Sequence, residues 1–201
     1  MRPLSAVLLL AGALLIPAAN AGTATFDFRV DTSGIPAAAG GWIDFEFNQA
    51  NAFDSLSATA RIWGFDAPGF TLGSTVLTST PDVTGNLPGT VVIPNDQAGA
   101  NYYTQAIDTW GSRFDFLVTL SGDAVGTPAP DGSGFYVFLL YPDFSPIVCP
   151  LASCEALNVT IGTDGIPVRQ DSDISGHIPE PGTWWLALAG AGMAWRARKR
   201  K

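Results

Sequence analysis

Apolar and polar residues alternate with a period of two over short stretches of the chain, and Gly, Pro, Asn and Asp recur between those stretches. In residues 24–30 and 43–47 the apolar side chains fall on one face of a strand and the polar ones on the other. Residues 135–141 are apolar without alternation, which predicts an internal strand buried on both faces. The predicted strands cover residues 24–30, 43–47, 56–65, 74–79, 89–94, 101–107, 114–120, 135–141 and 157–161.

No stretch longer than about ten residues in this part of the chain combines helical spacing with capping residues. We therefore predict an all-β fold, a single β-sandwich or jelly-roll-like domain of about nine short strands over residues 22–170. Alternation alone does not determine the order of the strands.

The first 21 residues differ from this pattern. A basic start at Arg2 is followed by an apolar run from Leu4 to Ile16, and the segment ends in Ala19-Asn20-Ala21. Small residues at Ala19 and Ala21 match the cleavage pattern of signal peptidase. We predict that residues 1–21 are a secretory signal peptide and that the protein is exported.

The last residues form a second apolar segment, over 182–195, that follows a linker at 171–178 and a short motif at 179–181. As a helix these 14 residues would reach about 21 Å, which is short of a hydrocarbon core of about 30 Å. A basic end over 196–201 follows, and by the positive-inside rule it stays in the cytoplasm. Its basic residues are Arg196, Arg198, Lys199, Arg200 and Lys201. The segment predicts a transient span of the inner membrane, with the body in the periplasm.

Charge is distributed unevenly between the body and the tail. Residues 22–178 contain no lysine and only four arginines, against 17 of the 18 acidic residues, so their formal charge is −13. Such a surface repels nucleic acid and anionic lipid headgroups. We therefore expect no nucleic-acid partner.

Cys149 and Cys154 are the two cysteines of the chain. Their spacing suits a small disulfide loop in an oxidising compartment, and a ring of about six residues would contribute only about 2 kcal/mol. With His177 as the single histidine, these residues cannot supply a four-ligand zinc set. We predict a Cys149–Cys154 disulfide and no metal.

The sequence lacks the residue combinations that most kinds of enzymatic catalysis need. The single histidine lies in the linker, where it is a poor partner for a nucleophile, and the glycine-rich stretches precede predicted strands rather than helices. We predict no catalytic residue and no cofactor.

Trp42, Asp44 and Glu46 share the outward face of one predicted strand, with the two carboxylates about 7 Å apart. An exposed indole can stack on a sugar ring, so these residues are possible glycan contacts. A pair of carboxylates also occurs in glycoside hydrolases. Two simpler interpretations stay open: acidic side chains are common on the wet face of a sheet, and Trp42 can cover the rim of the sandwich.

The C-terminal segment from Ile178 to Trp184, with the apolar run and basic end behind it, resembles the PEP-CTERM sorting domain over about the last 24 residues. The resemblance implies that Pro179, Glu180 and Pro181 are recognised by an exosortase, a membrane enzyme that processes the chain near this motif. It also implies a Gram-negative source that makes exopolysaccharide and biofilm.

The body resembles a group of uncharacterised PEP-CTERM proteins more loosely, in residues 41–48, 57–60, 114–122, 134–141 and 157–165. Together these features predict a non-enzymatic protein of the cell surface or extracellular matrix, sorted by exosortase and associated with exopolysaccharide. The alternative hypothesis is a carbohydrate-binding module or, less well supported, a glycoside hydrolase.

Overall fold

The computed structural model describes residues 22–51, 55–95, 100–147 and 154–170. Within them the chain forms eleven strands and a single 3₁₀ turn at Ala37–Ala39. The strands are β1 Gly22–Asp31, β2 Gly41–Gln49, β3 Thr59–Asp66, β4 Thr71–Thr78, β5 Thr84–Gly85, β6 Val91–Pro94, β7 Tyr102–Thr109, β8 Arg113–Gly122, β9 Ser133–Leu140, β10 Leu157–Ile161 and β11 Pro167–Gln170.

The strands form two antiparallel sheets that pack as a sandwich. The five-stranded sheet has the order β1-β8-β3-β6-β5, and the six-stranded sheet has the order β11-β10-β9-β2-β7-β4. Strands that follow one another in sequence mostly lie in different sheets, the exceptions being the neighbouring pairs β5-β6, β9-β10 and β10-β11, so most strand pairing is long-range. The predicted all-β sandwich is confirmed.

The core lies between the sheets and consists of the inward side chains of the alternating strands. Phe45 of the six-stranded sheet meets Phe116 of the five-stranded sheet edge to face, with ring centroids 5.4 Å apart. Phe28 stacks on Phe116 at 5.3 Å, within the five-stranded sheet. Each fully buried side chain of this size stabilises the fold by about 1.5–3 kcal/mol relative to exposure.

All nine predicted stretches coincide with strands, and the structure adds β5 and β11. β5 has only two residues, and β11 opens with Pro167 after a turn, so neither has enough alternating positions to be detected. β9 is an internal strand as predicted, between β10 and β2. Its outer face is only half buried, at Tyr136 and Phe138.

No helix within the described ranges is long and apolar enough to cross a membrane. The predicted signal peptide with Ala19 and Ala21, the linker 171–178 and the sorting segment 179–201 lie outside the described residues. Cys149 does too, so the Cys149–Cys154 disulfide stays a prediction.

Candidate functional site

The outer face of the six-stranded sheet carries Trp42, Asp44 and Glu46, the three side chains that the sequence suggested as glycan contacts. Because β7, β2 and β9 pair in register, Thr104, Asp44 and Phe138 form one row across the strands. The next row continues onto β10. Its members are Tyr102, Glu46, Tyr136 and Asn158. Directly opposed side chains are about 5 Å apart, close enough for neighbours in a row to interact.

Asp44 lies in the middle of this face and is only 9 % exposed. The hydroxyl of Thr104 donates a 2.7 Å hydrogen bond to Asp44 Oδ1. Burial raises the pKa of Asp44 to about 7, the Thr104 hydrogen bond opposes this rise, and the neighbouring Glu46 carboxyl adds to it. Asp44 is therefore a buried group that titrates near neutral pH, and its position differs from that of an ordinary acid on a wet sheet face.

Glu46 belongs to a polar chain that begins at Asp44. The Glu46 carboxyl is close enough to raise the pKa of Asp44, and Asn48 Nδ2 donates to Glu46 Oε2 at 2.7 Å. Asn48 Oδ1 in turn accepts from the backbone N–H of Asn101 at 2.7 Å. These bonds fix the half-buried Glu46 side chain on the surface of the sheet.

Trp42 is half buried because Phe144 covers it. The two rings stack with centroids 5.0 Å apart and planes 13° from parallel. Phe144 itself is 50 % exposed and has a φ of 65°, an uncommon conformation for a residue with a Cβ. The Asp143 carboxylate supports this turn by accepting hydrogen bonds from the N–H and hydroxyl of Ser145. The aromatic ring offered to solvent at this position is that of Phe144.

Tyr136 was not identified as a site residue from the sequence. Its ring lies over Gly134, two residues earlier on the same face of β9, and a Cβ at Gly134 would overlap the ring and hydroxyl. Burial raises the pKa of Tyr136, and the charges of Glu155 and Glu46 raise it further. A glycine two positions before an aromatic residue in a strand is the signal that could have indicated this arrangement.

Basic side chains are absent from this outer face within the described part of the chain. Arg29, Arg61 and Arg113 project from the other sheet, where Arg29 and Arg113 pair with Asp115. Arg169 points toward the core side of β11, over the ring of Phe28. The described ranges also contain no group of three or more His, Cys, Asp or Glu side chains placed to hold a metal ion. The face is thus acidic and aromatic.

Comparison with known protein families gives a match at the C-terminus, outside the described residues. Residues 177–201 match the PEP-CTERM protein-sorting motif. The matched segment includes Pro179, Glu180 and Pro181 together with the whole basic end. No curated protein and no solved structure matches the chain.

Proposed function

We propose that the chain, which carries a match to the PEP-CTERM protein-sorting motif, is an exported protein processed by a membrane exosortase. We further propose that its body is a non-enzymatic component of the cell surface or extracellular matrix, associated with exopolysaccharide and biofilm. The observation that carries the proposal is the match over residues 177–201.

Release of the body from its tail changes the charge of the protein. The full chain has a formal charge of −8, whereas residues 22–178 alone carry −13. Cleavage near Pro181 discards the basic end that holds the tail at the cytoplasmic side of the membrane. The product is a strongly acidic protein, whose charge favours solubility and disfavours binding to anionic lipid.

The route that we propose has three steps. Signal peptidase removes residues 1–21, and residues 182–195 hold a membrane intermediate with the body in the periplasm. Exosortase then acts near Pro179, Glu180 and Pro181 and transfers the body to the surface or matrix. Catalysis in this route belongs to the partner enzymes.

The arrangement of the carboxyls supports a non-enzymatic body. In glycoside hydrolases that use two carboxylates, these groups are about 5 Å or more apart so that the sugar fits between them. Asp44 is instead buried and accepts a hydrogen bond from Thr104, while Glu46 accepts one from Asn48, so both carboxyls are already engaged within the sheet. This pair is a poorer fit to hydrolysis than to a fixed polar surface.

Carbohydrate binding is the second candidate function. It is favoured by the combination of aromatic rings and hydrogen-bond acceptors on the outer face of the six-stranded sheet, around Phe144, Tyr136 and Glu46. Sugars are recognised by stacking on aromatic faces and by hydrogen bonds to hydroxyls, and both kinds of group are present there.

The sorting proposal is tested by native localisation and intact mass in isogenic strains with and without exosortase. We expect the protein from the wild-type strain to lack the basic end and to leave the membrane fraction. In the strain without exosortase the protein should keep Arg196 to Lys201 and stay with the membrane.

In the wild-type strain, the Glu180→Ala variant should keep its basic end and stay with the membrane, like the unmutated protein in the strain without exosortase. Pro142→Ala, which changes an exposed proline of the body, should be processed normally. A wild-type protein that retains its basic end at the surface would contradict the proposal and indicate a permanent anchor.

A further inference from the structure

The ring of Tyr136 has the geometry of a stacking platform. Because Gly134 has no side chain, the ring lies against the strand instead of standing away from it. The hydroxyl end of the ring covers Gly134, and the half-buried side chain leaves part of the ring open to solvent. A flat aromatic side chain with two χ angles is held in place at low entropic cost, so it is suited to contact another flat surface.

The groups around this ring are hydrogen-bond acceptors. Glu46 lies opposite Tyr136 on β2, and Asn158 lies opposite it on β10. Glu155 is near enough for its charge to act on the Tyr136 hydroxyl. Glu155 and Asn158 are only 4 % and 6 % exposed, yet Glu155 Oε2 and Asn158 Oδ1 have no hydrogen-bond partner among the described residues.

A buried acceptor without a partner costs about 1–3 kcal/mol, and a ligand that donates to it recovers this energy. Asn158 Nδ2 already points to Glu155 Oε1, at 3.4 Å, so the pair needs donors from outside. Asn158 lies directly opposite Tyr136, and Glu155 is near enough for its charge to act on the Tyr136 hydroxyl, so a donor that reaches these oxygens also contacts Tyr136. The site therefore favours a ligand rich in hydroxyl groups.

The charge around the site selects among such ligands. Glu46 and Glu155 flank the ring, and no arginine or lysine of the described chain projects from this face. Tyr136 stays protonated over the neutral range, because burial and the two carboxylates raise its pKa. Uronic acid or sulfated sugars would meet like charges here without a compensating cation, which costs binding energy.

We propose that the outer face of the six-stranded sheet binds an uncharged saccharide chain across Tyr136, with the ring as stacking platform and Glu46, Glu155 and Asn158 as acceptors for its hydroxyls. Phe138, two residues further along β9, extends the apolar strip by about 7 Å toward Phe144. This inference rests on the proposal that the body meets polysaccharide outside the cell, and it adds the contact and the class of sugar.

The test is retention of the full chain, purified in detergent, on immobilised neutral glucans (dextran, laminarin and xyloglucan) and on the uronic acid polymer alginate. We expect retention on at least one neutral glucan and none on alginate. Tyr136→Ala should weaken retention at least about tenfold, the equivalent of about 1.4 kcal/mol.

Gly134→Ala separates the orientation of the ring from its presence. The nearest atoms to a Cβ at Gly134 all belong to the Tyr136 side chain, so the strand can stay intact while the ring moves aside. We expect Gly134→Ala to lose affinity as Tyr136→Ala does, at an unchanged melting temperature. Trp63→Ala, which removes an aromatic side chain from the outer face of the other sheet, is the matched control and should bind like wild type.

Two results would overturn the inference. One is normal retention of both the Tyr136→Ala and Gly134→Ala variants, and the other is the absence of retention on every neutral glucan tested. Retention on alginate alone would contradict the inferred class of sugar, although it would still agree with an association with exopolysaccharide. Failure of the sorting proposal is detected separately, by the intact mass of the C-terminus.

Discussion

The guanidinium of Arg169 lies over the ring of Phe28, with its central carbon 4.3 Å from the ring centroid. Arg169 Nη1 also donates a 2.9 Å hydrogen bond to the backbone carbonyl of Asp27. Arg169 belongs to β11, the edge strand of the six-stranded sheet, and Phe28 belongs to β1, the edge strand of the five-stranded sheet. One side chain thus bridges the two sheets along one side of the sandwich, just before the linker to the sorting segment.

Replacement of Arg169 by alanine should destabilise the fold by about 1 kcal/mol, since a cation over an aromatic ring contributes roughly 0.5–2 kcal/mol, depending on exposure. Urea denaturation followed by circular dichroism measures the effect. Arg61→Ala is the matched control, because Arg61 sits over Trp63 at 5.9 Å within one strand and joins no separate elements. An effect of Arg169→Ala no larger than that of Arg61→Ala would show that the bridge between the sheets contributes nothing.

This bridge illustrates what the sequence could and could not predict. The alternating stretches were found because each strand has one face in the core, so side chains such as Phe26, Phe28 and Val30 recur with period two. β11 has four residues and opens with proline, so its pattern is too short to detect. Arg169 of this strand contacts Asp27 and Phe28, which lie more than 130 positions earlier in the chain. No local sequence pattern specifies a contact over that distance.

The candidate site was predicted in part. Period two correctly placed Trp42, Asp44 and Glu46 on one face of β2. It could not show that Phe144 covers Trp42 or that Asp44 is buried, because both depend on elements that are distant in sequence. Tyr136 was missed since residues 135–141 look uniformly apolar, and only the register with β2 and β10 brings it beside Glu46 and Asn158.

Asn95 connects the two sheets from inside the sandwich. It is fully buried, its Oδ1 accepts from the N–H of Ala58 at 2.6 Å, and its Nδ2 donates to Ser133 Oγ at 2.7 Å. Asn95→Ala leaves these groups without partners, so we expect a loss of about 3 kcal/mol in the free energy of unfolding.

The control for Asn95→Ala is Asn86→Ala. Asn86 is exposed, and its Oδ1 accepts a 3.1 Å hydrogen bond from the Tyr103 hydroxyl. Tyr103 can use Gln105 Oε1 at 2.9 Å instead, so Asn86→Ala should cost less than about 1 kcal/mol. If urea denaturation gives equal losses for the two variants, the buried hydrogen bonds of Asn95 contribute no more to stability than the exposed Asn86 contact.

Asp44 should make the stability of the protein depend on pH. Its pKa is raised to about 7 in the folded state, whereas the unfolded chain releases the proton near the ordinary value of about 3.9. Between these values the folded state binds more protons, so the contribution of Asp44 is fully present below about pH 4 and is lost as the pH rises to about 7. Asp44→Asn removes this dependence.

The measurement is the free energy of unfolding of wild type and Asp44→Asn at pH 4.5 and pH 8. From pH 4.5 to pH 8, the free energy of unfolding of Asp44→Asn should rise relative to that of wild type by a few kcal/mol, to order of magnitude. Asp31→Asn is the control of opposite sign, because hydrogen bonds from Ser33 lower the pKa of Asp31. The contribution of Asp31 is lost only as the pH falls below its ordinary pKa of 3.8, so Asp31→Asn should lose about the same stability at pH 4.5 as at pH 8. A pH-independent difference between Asp44→Asn and wild type would rule out the raised pKa.

The stack of Phe144 on Trp42 should offset part of the free-energy cost of the uncommon backbone conformation at Phe144. Aromatic pairs contribute about 0.5–1.5 kcal/mol beyond their buried area, so a double-mutant cycle of Trp42→Ala and Phe144→Ala should give a coupling energy in that range. Tyr141 is similarly exposed, at 40 %, and makes no ring contact within the described part of the chain. The cycle of Trp42→Ala with Tyr141→Ala should therefore give a coupling near zero. If both cycles give the same coupling, Phe144 does not hold Trp42, and the φ of 65° at Phe144 requires another explanation.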